Sequence, residues 1–165
     1  MPPSDQDRLY QSLYNDFTVA YVNVHVVRRE FYPLAKKLVE RTEPELNTYL
    51  EKVSGGANQQ TNFEAHEQLV RYMGQFDDFT LIANRMFSDL QMMLDKSDAY
   101  MNKMLERKTN PNKPADDPTV FYKELMPELD QLVNGLKQIS ERAALLESKM
   151  QKLETEWEKT KEKIA

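Results

Sequence analysis

From Leu125 to Ile164 apolar residues recur at alternating spacings of four and three. Leu129, Leu136, Ala143, Met150, Trp157 and Ile164 hold one seam position, and Leu125, Leu132, Ile139, Leu146, Leu153 and Thr160 hold the other. Thr160 alone is polar. A straight helix of about 3.6 residues per turn would carry a strict seven-residue repeat off its contact face, so a repeat this long coils its helix around a partner. The segment is built to pack against other helices. That gives a mode of binding and no reaction.

With 165 residues, the chain falls within the range of roughly 100 to 200 residues expected of one domain. Four glycines and no cysteine favour long helices over a turn-rich sheet and remove disulfide and thiolate chemistry. The net charge of -5 is far from the basic footprint of a phosphate-neutralising protein. Charges of both signs are spread along the whole chain, so no tail is set aside for electrostatic capture. The opening Met-Pro-Pro-Ser-Asp-Gln-Asp lacks the basic and apolar regions of a signal peptide, and no run approaches the roughly 20 apolar residues that span a bilayer. The expectation is a soluble intracellular protein, in the cytoplasm.

Three helical segments follow from the patterning, at about 5–53, 61–108 and 118–164. Ser4 and Asp7 suit the start of the first. There Leu9, Leu13, Phe17, Ala20, Val24, Val27, Phe31 and Leu34 recur at three and four, and Tyr10, Tyr14, Phe17 and Tyr21 draw a second stripe beside them. Val22, Val24 and Val26 alternating with Asn23 and His25 also form a strand pattern. The helical stripe continues through both flanks, which favours helix. Pro33 lacks a backbone donor and predicts a kink or break. Thr42 and Glu45 around Pro44 form a capping box that predicts a fresh start there. Ser54 to Asn58 reads as a turn between antiparallel neighbours.

Thr61 and Glu64 make a further capping box. Beyond it Leu69, Met73, Phe76, Phe79, Ala83, Met86, Leu90, Met93, Met101 and Met104 predict a second helix of about 45 residues. Residues 109–117, with three prolines counting Pro118 just after them, predict an exposed connector. Asp117 and Pro118 then read as N-cap and first helical residue, with Pro127 bending the opening turns. The assembly expected is all-α: a single domain over 1–165, an elongated antiparallel three-helix bundle with coiled-coil character, its first helix kinked or broken near Pro33.

Chemistry is hard to place on this pattern. His66-Glu67 opens like a zinc-protease motif, but Val70 stands where the second histidine belongs. Neither His25 nor His66 has a glutamate three residues before it, as bundle di-iron sites require. Asp77 and Asp78 point about 100° apart on a helix and cannot both face one substrate. No phosphate-cradling loop or nucleophile elbow is present. The expectation is therefore no enzyme, no cofactor, no metal and no small-molecule substrate.

The Tyr10, Tyr14, Phe17, Tyr21 stripe is wider than burial in a bundle needs, and tyrosine is enriched at interface hot spots. Leu146, Leu153 and Trp157 are the matching candidates on the third segment, where a ring as large as Trp157 suits a bundle wider than a two-stranded coil. Met86, Met92, Met93, Met101 and Met104 read as flexible core filling or as an adaptable contact surface. These features predict a non-catalytic scaffold or adaptor subunit that binds protein partners through helix packing, self-association included, and not nucleic acid. A BAR-like membrane-binding dimer would need a basic face, and Arg28, Arg29, Lys36, Lys37 and Arg41 supply a small one, so membrane is a weaker partner. A helical chaperone or effector holding a client segment is the other alternative.

Overall fold

The computed structural model describes residues 5–54, 59–109 and 118–164. The expected turn after Ser54, the connector and the Asp117 cap lie outside the described residues. Helix α1 runs Asp5–Val26 and passes through a π-helical turn, Val27–Phe31, into α2, Tyr32–Ser54. Helices α3, Gln59–Thr109, and α4, Pro118–Ile164, follow. The fold is all-α, three long helices once α1 and α2 are merged, with no strand among the described residues.

Of the expected kink or break near Pro33, the helix shows a bend and no break: it leaves α geometry in the π turn just before the proline and runs on through it. Its missing N–H would have bonded the carbonyl of Arg29, which lies in the π turn, and the wider turn gives the pyrrolidine ring the room an α turn denies it. The extra residue also resets the inward face. Phe17, Ala20, Val24 and Phe31 are buried as the stripe predicts, but the next buried residue is Ala35, at 3% exposure, whereas Leu34 is 52% exposed. Leu9 also points outward. Val24 is fully buried while Val22 and Val26 are exposed, the helical outcome for the stretch that also patterned as a strand.

Two other boundaries differ from expectation. Thr42 does not start a helix: α2 continues through Pro44, Thr42 is fully buried, and its hydroxyl finds no hydrogen-bond partner among the described residues. Tertiary burial outweighs the local capping signal there. Helix α3 begins two residues before Thr61, an offset within the usual fraying of helix ends. Helix α4 begins at Pro118 and runs through Pro127 without interruption.

Contacts divide the chain into two compact units. The first comprises the described residues of Met1–Arg28 and Phe87–Arg142, so it holds α1, the later part of α3 and the earlier part of α4. Its core joins Phe17, Leu90, Leu94, Tyr100, Leu129 and Leu136, all nearly inaccessible. Gly135 lets the Met93 side chain lie against the α4 backbone, for an added Cβ would come within 2.9 Å of its Sδ. The second comprises Arg29–Met86 with the described residues of Ala143–Ala165, so it holds α2, the earlier part of α3 and the later part of α4. Its core is built from Leu38, Leu46, Leu69, Phe76, Leu146 and Trp157.

Candidate functional site

The aromatic stripe of α1 belongs to the first unit, and most of it is turned toward α3. Ring centroids step from Tyr10 to Tyr14 at 6.1 Å, Tyr14 to Phe17 at 6.1 Å, Phe17 to Tyr21 at 5.9 Å and Tyr21 to His25 at 4.5 Å. These residues follow one another at three or four positions, which stacks them along one helix face. Phe17 also meets Tyr100 of α3 at 6.0 Å.

Tyr21 donates its hydroxyl to Asp98 Oδ1 at 2.6 Å. Burial and then the hydrogen bond beside a carboxylate push its pKa up to about 12. Tyr100 donates to the Leu125 carbonyl at 3.3 Å, and its pKa is raised, burial being the main cause and the neighbouring Tyr10 the next. Burial and Tyr14 also raise Tyr10, while a hydrogen bond shared with Tyr100 opposes the shift. Of the four stripe residues, Phe17 is buried, Tyr10 and Tyr21 are half-buried, and Tyr14 is exposed. An interface within the unit thus occupies much of the stripe.

The α4 candidates lie in the second unit and are covered by the chain itself. Leu146, Leu153 and Trp157 are 1%, 5% and 3% exposed. Trp157 stacks on Tyr72 of α3 with centroids 4.9 Å apart and meets Tyr49 of α2 edge-on at 5.5 Å. Its indole N–H donates to Glu45 Oε2 at 2.7 Å, and Lys161 reaches over the same ring at 5.7 Å. Tyr72 has its pKa raised by burial, with Arg41 opposing and Glu154 and Glu45 reinforcing. Of the methionines, Met86 is buried, Met93, Met101 and Met104 are half-buried, and Met92 is exposed.

One accessible apolar face was masked by the aromatic pattern. Val19, Val22 and Val26, spaced by three and four, are 62%, 52% and 42% exposed and lie on the side of α1 opposite Phe17, Ala20 and Val24. Exposed Asn15, Asp16 and Asn23 border them. The signal was in the sequence, since two of these valines are the outer members of the strand-like alternation. Among the described residues no group of three or more metal-ligating side chains exists, and no helix is long and apolar enough to cross a membrane. No protein-family model matches the chain, and no curated protein or solved structure matches it either.

Proposed function

We propose that the chain is a non-catalytic interaction subunit, a helical scaffold or adaptor that joins a larger intracellular assembly through the outward faces of its helices. In this reading the helices pair antiparallel with coiled-coil character. Support for that pairing comes from the first unit, where Arg142 meets Asp89 at 2.8 Å and Lys103 meets Glu128 at 3.3 Å. Fourteen residues forward along α3 correspond to fourteen residues back along α4. Support for docking through outward faces comes from α4, whose described seam residues are all buried within one chain. A second copy is not needed to cover them.

The observation that carries the proposal is the valine face of α1. Isolated apolar side chains are normal on a protein surface, but three at helical spacing form the stripe that a partner helix covers. A photo-crosslinking residue at position 22, in the cell of origin, should give discrete protein adducts. These should vanish when Val19 and Val26 are changed to Asp, and the same residue at exposed Glu51 should give none. A chain that is monomeric by light scattering and yields no adduct at position 22 would overturn the reading.

A further inference from the structure

The second unit carries a groove that neither the seam nor the valine face accounts for. Its larger part, about 610 Å³, lies between Gln75–Ile82 of α3 and Ser148–Glu156 of α4. A smaller continuation of about 120 Å³ shares Gln75 and Glu156 and extends to Gln68 on α3 and Lys163 on α4. No residue of α2 lines either part. Ile82 gives the larger part its accessible apolar residue, with Phe79 and Leu153 almost wholly buried beneath it.

Charge sets this groove apart from the rest of the molecule. Five cationic side chains, Arg71, Lys149, Lys152, Lys159 and Lys163, line it against only the two carboxylates Asp78 and Glu156, in a chain whose net charge is -5. Four of the five stand on the α4 wall. Arg71 is held by Glu67 at 3.6 Å and Lys159 by Glu156 at 3.9 Å, while Lys149, Lys152 and Lys163 have no ion pair among the described residues. Along the α4 wall four lysines stand against the single carboxylate Glu156, an excess open to a counter-charge.

Dimensions select the form of the occupant. From Gln68 to Ile82 the α3 wall rises by about 21 Å at 1.5 Å per residue. Its lining residues recur every three or four positions, once per turn of about 5.4 Å, which is the repeat of a helix laid alongside. An extended strand repeats at about 6.7 Å for every two residues and would drift out of step over that length.

We propose that this groove seats an amphipathic helix of about four turns from a partner protein, its apolar stripe over Ile82 and the aliphatic stems of the groove's lysines and its acidic flank against the lysine ammonium groups of α4. The proposal rests on the reading of the chain as an interaction subunit but uses a different surface from the valine face. The probe is a stapled fourteen-residue helical peptide with leucines at one stripe and glutamates along one flank. Controls are the same peptide with lysines for glutamates and a scrambled peptide of identical composition.

Fluorescence anisotropy should show saturable binding of the acidic peptide, weakened at least tenfold by the double change Lys149→Glu and Lys152→Glu, and several-fold by a rise from low to high salt. Both lysines are exposed, and an unchanged circular dichroism spectrum and Tm would confirm that the variant folds. Val19→Asp with Val22→Asp should leave peptide binding intact. Equal binding of the lysine or scrambled peptide, or no binding of the acidic one, overturns the proposal. So does competition by anionic vesicles or heparin that abolishes peptide binding at equal charge concentration. If the peptide fails while position 22 still crosslinks, the groove assignment falls and the broader reading stands.

Discussion

Trp157 and Glu45, 112 positions apart in the chain, are joined by an indole N–H that donates to the carboxylate at 2.7 Å. The contact ties α4 to α2 inside the second unit and satisfies the one polar atom of a side chain that is 3% exposed. Trp157→Phe keeps most of the ring volume and strands the carboxylate, so a loss of about 2 kcal/mol is expected, within the range for a hydrogen bond to a charged group. Glu45→Gln retains an oxygen acceptor and should cost less. Urea denaturation followed by circular dichroism checks the order of the two. The reverse order would remove the hydrogen bond as the cause.

Alkaline pH should act on the first unit through Tyr21. Its pKa is raised from 10.0 to about 12, by burial first and by Asp98 next, so the folded state holds the neutral phenol where the unfolded chain ionises. The stabilisation from this group is complete below pH 10 and lost as the pH climbs toward 12. Tyr72 and Tyr100 also titrate late, so phenolate absorbance should show a late-titrating component that loses one tyrosine's share in Tyr21→Phe and has that share moved to lower pH in Asp98→Asn. An unchanged titration curve in both variants would count against the assignment.

Two glycines inside helices should answer differently to alanine. Nothing lies within 4 Å of a Cβ added at Gly74, so Gly74→Ala should gain close to the full helix propensity difference, about 1 kcal/mol. At Gly135 the Met93 side chain occupies the space. The same gain is then offset by displacing it, and Gly135→Ala should raise Tm less than Gly74→Ala. Thermal denaturation of the two variants makes the comparison.

A single charge in the α4 seam should unfold the chain rather than dissociate it. Leu146 is 1% exposed, so Leu146→Asp loses the 2 to 5 kcal/mol typical of removing a buried leucine and adds the desolvation of a carboxylate. Light scattering and circular dichroism together should show loss of helix at every protein concentration. A well-folded monomer would instead place that side chain at an interface between chains.

The sequence was most legible where periodicity and burial share one cause. In α4 the described positions of the four-three repeat are all buried, because a long uninterrupted helix keeps one frame. In α3 the methionine spacing drew attention, yet Tyr72, Leu94, Ser97 and Tyr100 are buried instead of several of those methionines. The inward seam there uses aromatic and small polar residues that hydropathy underrates. Thr42 and Glu45 imitated a helix start because capping chemistry is local, whereas in the fold Thr42 is buried and Glu45 accepts a hydrogen bond from Trp157, more than a hundred residues away. The valine face and the lysine-lined groove were harder to read. Both are defined by what the rest of the fold leaves uncovered.

The wide turn at Val27–Phe31 has a consequence for register. One residue more than an α turn holds moves the inward frame by one position, so heptad letters assigned along α1 must be restarted after the turn, where Ala35 and not Leu34 faces inward. Deleting one residue from the turn should return it to α geometry with Ala35 still inward, and the ring of Pro33 should then press on the carbonyl four residues before it.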